Sequence, residues 1–204
     1  MTDFLFDGPE TSEKTVLLAH GAGAPMDSDF MNVIASGLAG HGLRVARFEF
    51  PYMIKRRDDG KRRPPDRAPV LLQSYLDAAA ELGPESLIAG GKSMGGRIAS
   101  MIADEAGVAG LVCLGYPFHP PGKPDKLRTE HLAGLKTPAL ILQGERDPFG
   151  KREEVAGYTL SKSINVAFLP DGDHDLKPRK ASGRTRAENR AEAVDRIADF
   201  ARGL

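Results

Sequence analysis

Apolar residues in this chain fall into short, nearly continuous runs separated by longer stretches of mixed polarity. The runs predict strands at Val16–Ala19, Val45–Phe50, Leu87–Gly90, Gly110–Leu114, Ala139–Gln143 and Asn165–Leu169. Several lack the apolar–polar alternation of a half-exposed strand, so they fit a parallel sheet buried on both faces. A weaker run at Phe4–Phe6 suggests an added edge strand.

Helices fill the intervals. Phe30, Val33, Ile34 and Leu38 recur at helical spacing, and Gly40–Gly42 supplies a stop. Val70–Leu82 is rich in helix formers and ends before Gly83 and Pro84. Ile98, Met101 and Ile102 mark the inward stripe of a helix that begins at Ser93. Val194, Ile197, Ala198 and Ala201 mark that of a terminal helix within Arg184–Leu204. Strand and helix alternate throughout, which predicts a three-layer α/β/α architecture around a mostly parallel sheet. Two stretches, Pro51–Pro69 and Tyr116–Pro124, read as long loops. Both follow strands and should emerge at the carboxyl edge of the sheet, where open α/β folds bind ligands. The 204 residues suit one domain spanning 1–204, and no repeat divides them.

Composition narrows the classes of function. Lys and Arg number 28, as do Asp and Glu, so no global field recruits nucleic acid or an anionic membrane. The basic stretch Lys55–Arg63 is a local exception; without a recognised nucleic-acid motif it reads as a solvated surface. The segment Met1–Asp7 has none of the parts of a signal peptide, and no apolar run is long enough to cross a bilayer. A cytoplasmic protein is the expectation. The lone Cys113 has no disulfide partner and no second thiol for a metal site; it reads as a small core residue.

The chemistry centres on Gly91-Lys92-Ser93-Met94-Gly95, a G-x-S-x-G pattern between a predicted strand and a predicted helix. In that setting the serine sits on a sharp turn with its hydroxyl exposed at the sheet edge. A phosphate-binding loop is excluded, because Ser86 stands where that motif needs glycine and the strand would fall inside the loop. A serine nucleophile needs a base and a group that orients the base. Among His20, His41, His119, His131 and His174, only His174 follows the serine with room for an acid between them and lies at a strand end. Asp147 follows the strand Ala139–Gln143 and is the preferred acid; Glu145 is its rival, and Asp173 and Asp175 reach His174 only locally. Backbone N–H groups that stabilise the oxyanion are expected from Met94 and from Ala22, in the loop after the first confident strand. His20 is expected to support that loop, and His41 and His131 to be surface residues. Gly23, Lys92, Tyr116 and His119 are expected to line the pocket. Lys92 and Arg97 lie beside a helix N-terminus, where cations are disfavoured. Pairing with a carboxylate such as Glu49 is the preferred explanation, and attraction of an acidic substrate is the other.

These residues resemble the α/β-hydrolase superfamily, and within it the small dienelactone-hydrolase-like branch. The likeness extends to short hydrolase-like proteins related to a testis-expressed protein and to a subunit of a histone-acetyltransferase complex. It spans nearly the whole chain and rests on Leu18–Ala24, Phe48–Tyr52, Gly90–Arg97, Leu114–Pro120, Gln143–Pro148 and Asp173-His174. The resemblance implies Ser93, Asp147 and His174 as a triad, with no metal or organic cofactor. Dienelactone hydrolase itself has cysteine where Ser93 stands, so its substrate is not carried over. The expected reaction is hydrolysis of an ester, thioester or related acyl bond of a small molecule. An acyltransferase with the same triad and a non-catalytic interaction module are the alternatives. The stretch Tyr116–Pro138 is too short for a large cap domain, so a shallow pocket bordered by loops is expected.

Overall fold

The apolar runs pair into one seven-stranded sheet. Its strands are β1 (Leu5–Asp7), β2 (Thr15–Ala19), β3 (Arg44–Phe48), β4 (Leu87–Lys92), β5 (Gly110–Leu114), β6 (Ala139–Gly144) and β7 (Ile164–Leu169). The spatial order is β1-β3-β2-β4-β5-β6-β7, with β1 antiparallel and all other neighbours parallel. The computed structural model describes all 204 residues. Both faces of the central strands are apolar because alternate residues feed separate cores. Leu17, Ala89, Cys113 and Ile141 point to one, and Val16, Ile88, Val112 and Leu142 to the other. That division is why the runs look continuous in sequence.

Helices α1 (Asp29–Gly40) and α6 (Arg186–Arg202) cover the second core; α3 (Ala68–Leu82) and α4 (Met94–Ala106) cover the first. The start of α6 is set by a capping box, in which Glu188 N–H donates to Thr185 Oγ1 at 3.2 Å and Thr185 N–H donates to Glu188 Oε2 at 2.7 Å. Helix α4 stops at Gly107, which takes a left-handed conformation and returns its N–H to the Ala103 carbonyl. The edge strand is one residue displaced from Phe4–Phe6. Buried Arg47 of β3 holds it through a 2.7 Å ion pair with Asp7.

One expectation needs correction. The first half of Pro51–Pro69 is helix α2 (Pro51–Asp59) rather than loop. Pro51 occupies the first turn, where its missing N–H costs nothing, and buried Tyr52 and Met53 anchor the turn to the core. The following Lys55–Asp59 is all charged, so no apolar stripe betrays the helix. The short helix α5 (Arg152–Val155) also carries too few apolar residues to be read from the pattern.

Tyr75 links α3 to the sheet beneath the strand that ends at the serine. It is fully buried; its hydroxyl accepts the Gly90 N–H at 2.7 Å and lies 2.8 and 2.9 Å from the Gly90 and Leu17 carbonyls. Tyr75→Phe leaves the Gly90 N–H without that acceptor in a dry core. Urea unfolding is expected to show a loss of about 1–3 kcal/mol; a loss within error would mean that the sheet satisfies Gly90 by itself.

Candidate active site

Strand β4 ends at Lys92 and α4 begins at Met94, so Ser93 alone makes the turn. Its backbone lies at φ 52°, ψ −113°, a region that side-chain-bearing residues rarely adopt and that costs about 1–3 kcal/mol. The turn is held on both sides. Ser93 N–H donates to the Leu114 carbonyl of β5 at 2.9 Å, and Arg97 N–H donates to the Ser93 carbonyl at 3.0 Å. A Cβ on Gly91 would lie 2.4 Å from the Ala19 carbonyl oxygen, and one on Gly95 would lie 2.3 Å from the same atom. The two glycines of the motif therefore let β2 press against the elbow.

Asp147 and His174 come from the loops after β6 and β7. Ser93 Oγ lies 2.8 Å from His174 Nε2, and His174 Nδ1 lies 2.8 Å from Asp147 Oδ2. The carboxylate is fully buried, and its other oxygen accepts the Phe149 N–H at 2.9 Å. An acceptor at Nδ1 assigns the imidazole proton there and leaves Nε2 free to accept from the serine. The Phe149 ring lies over the imidazole with centroids 4.2 Å apart, fixing its plane.

The loops carrying Asp147 and His174 are laced together. Arg146 N–H donates to the Gly172 carbonyl, Arg146 Nε donates to the Asp171 carbonyl, and Asp171 N–H donates to Glu145 Oε2 at 2.8 Å. Glu145 thus braces the loop of His174, and Asp147 alone meets the imidazole. Asp173 accepts the N–H groups of Asp175 and Lys177, shaping the turn around His174.

Lys92 does not pair with Glu49 as the sequence suggested. Its ammonium donates to the His174 carbonyl at 2.5 Å and forms an ion pair with Asp175 at 3.3 Å. Burial pulls its pKa below the ordinary lysine value, against the attraction of Asp175 and Asp147. Glu49 is taken instead by Arg57, through two hydrogen bonds of 2.7 Å. The residue just before the serine therefore fastens the main chain of His174, a link between distant loops that no local sequence signal carries.

The loop Gly21–Ala24 is supported by His20, as expected. Phe50 N–H donates to His20 Nε2 at 3.1 Å, and the Nδ1 proton goes to the Gly21 carbonyl at 2.7 Å. Burial depresses its pKa, keeping the ring neutral. His41 is a surface residue paired with Asp195. His131, in contrast, is half-buried, with Nε2 2.8 Å from Ser100 Oγ. No carboxylate hydrogen-bonds His131, and the Ser100 hydroxyl donates to the Arg97 carbonyl. This second serine–histidine contact has no third member. Cys113 packs in the core as expected, its Sγ 3.4 Å from the Gly96 carbonyl.

Two cavities open on Ser93. One, of about 340 Å³, is bordered by Ala22, Met94, Arg97, Ile98 and Arg128. The other, of about 320 Å³, is bordered by Gly23, Phe30, Lys92, His174 and Asp175. Of the four residues named from the sequence for the pocket, Gly23 and Lys92 border this cavity, and Tyr116 and His119 border neither. Both are buried below the edge: Tyr116 accepts through its main chain a bond from Gln143, and His119 lies 3.5 Å from Glu154. Neither Phe149 nor Arg128 was singled out in the sequence. Phe149 is signalled only by lying two residues after Asp147, and Arg128 by nothing.

A family model described as alpha/beta hydrolase domain matches residues 12–202. The chain belongs to the alpha/beta hydrolase family. Solved hydrolases share the fold at low identity. A dienelactone hydrolase from Anabaena variabilis is 22% identical, with 97% of this chain and 88% of that one covered and a TM-score of 0.70. An α/β serine hydrolase homologue from Coxiella burnetii is 20% identical over 95% of this chain and 90% of that one, with a TM-score of 0.69. A serine hydrolase without a lid from Xanthomonas campestris is 19% identical over 97% and 88%, also at 0.69. No helix of this hydrolase domain is long and apolar enough to cross a membrane.

Burial of His20 predicts a fold that loses stability in acid. The folded pKa of this histidine is depressed below the ordinary 6.5, so the unfolded state binds more protons between the two values. Stability must therefore fall as pH drops from about 6.5, by at most about 1.4 kcal/mol per pH unit from this group. His131 shifts the same way through burial. Denaturant titrations from pH 7 to pH 5 should give a shallower pH slope in His20→Asn than in wild type, whatever the variant's absolute stability. An unchanged slope would remove His20 from the account.

Proposed function

We propose that this hydrolase domain, spanning 1–204, cleaves an ester, thioester or related acyl bond of a small molecule through an acyl-enzyme on Ser93. The observation that carries this reading is the unbroken line from Ser93 Oγ through His174 to buried Asp147, with a cavity on either side of the hydroxyl. His174 Nε2 takes the hydroxyl proton as Ser93 Oγ forms a bond to the acyl carbon, and the carbonyl electron pair moves to oxygen. Collapse of that intermediate breaks the bond to the leaving group, which receives the proton from His174. Water then repeats the sequence, and Ser93 recovers its proton. Asp147 holds the imidazole in the required tautomer and offsets the imidazolium charge. The backbone N–H groups of Met94, at the start of α4, and of Ala22 are the proposed donors to the oxyanion; both residues border the cavity above Ser93.

Steady-state hydrolysis of short p-nitrophenyl esters tests the assignment. Ser93→Ala or His174→Ala is expected to lower kcat by about a million-fold, to near background. Asp147→Asn keeps the shape but favours the wrong tautomer, and a loss of about 10⁴-fold is expected. Ser93→Ala protein that retains wild-type turnover would refute the nucleophile.

A further inference from the structure

The two cavities beside Ser93 differ in what they offer a ligand. In the one that His174 borders, the Lys92 ammonium is already paired with Asp175. The other is bordered by both Arg97 and Arg128, and neither guanidinium forms an ion pair or a hydrogen bond within the chain. Arg97 Nε is shut off from solvent without a partner. Arg97 also lies at the end of the first turn of α4, whose aligned peptide dipoles place positive potential there. Burial, together with the charge of Arg97, holds the Arg128 guanidinium below the ordinary arginine value. The cavity has one carboxylate, Asp66, but it accepts the Tyr52 N–H at 2.8 Å and pairs with neither arginine. The remaining wall is largely apolar, with Leu71, Ile98 and Pro117.

Two cations that border one cavity beside the positive end of a helix repel one another, and the repulsion is relieved by an anion bound in that cavity. Guanidinium groups suit a planar carboxylate, which each can grip through two parallel hydrogen bonds. The position of His174 decides which part of the substrate carries that carboxylate. The leaving group must receive its proton from His174 Nε2, so it departs through the cavity that His174 borders. The acyl chain then occupies the arginine cavity.

We infer, resting on the reading of Ser93 above, that Arg97 and Arg128 form a carboxylate subsite for the acyl group. The substrate class is the half-ester or half-thioester of a short dicarboxylic acid. Leu71 and Ile98 pack the methylenes between the two ends.

The test compares monomethyl adipate with methyl hexanoate, which has the same acyl length and no charge. Wild type is expected to favour the half-ester in kcat/KM, and Arg97→Gln and Arg128→Gln are each expected to lower the ratio of the two by about tenfold. Lysine at either position should restore part of it, since the charge returns without the planar fork. Circular dichroism checks that each variant folds. Equal kcat/KM for the two esters in wild type overturns the subsite, as does a ratio that both glutamine variants leave intact. A preference seen only with acetoxybutanoate, whose carboxylate lies on the alcohol portion, overturns the acyl-side assignment. If wild type hydrolyses no ester, the reading of Ser93 fails, and calorimetry with Ser93→Ala protein decides the subsite separately. Binding of monomethyl adipate that weakens in the arginine variants supports it, and absence of such binding overturns it.

Discussion

The backbone of Ser93 sits in a conformation that its own residue type disfavours, and the carboxyl edge of the sheet is arranged around keeping it there. Three neighbours over-determine the turn. The Leu114 carbonyl receives the Ser93 N–H, α4 begins at the next residue, and the Ala19 carbonyl lies where a Cβ on Gly91 or Gly95 would have to go. The strain is stored because β2, β4 and β5 are buried on both faces and cannot shift to relieve it. Tyr75 adds to this rigidity from below by joining Leu17 of β2 to Gly90 of β4.

Against that fixed point Asp147 and His174 are set by two loops that would otherwise be free to move apart. Glu145, Arg146 and Asp171 tie them to each other, and Lys92 ties the His174 main chain back to the elbow. The lysine next to the serine is thus neutralised locally, while Arg97, one helical turn on, is not. The same short segment holds a cation spent on architecture and a cation with no partner. That difference gives the cavities their opposite characters.

Much of this was legible in the sequence because it rests on local chemistry. Buried parallel strands leave continuous apolar runs, and the elbow leaves glycines at fixed offsets. Chain order singles out Asp147 and His174, and the structure brings both to Ser93. What was not legible depends on contacts between distant segments. Lys92 and Glu49 both lie at strand ends and look like partners in the sequence, yet Arg57 reaches Glu49 from a helix whose charged sequence hides it. Tyr116 and His119 follow a strand as pocket residues should, but the chain after β5 turns inward and buries them. Arg128 sits in a stretch without periodicity, and only the folded chain brings it to the same cavity as Arg97.

The proposed reaction requires Ser93 to be an activated nucleophile. Labelling with a fluorophosphonate, followed by peptide mass mapping, reads that property without knowledge of the substrate. The adduct is expected on Ser93 alone, with labelling strongly slowed in His174→Gln protein. An adduct on Ser100 or elsewhere, or no adduct under conditions where a known serine hydrolase is fully labelled, would contradict it.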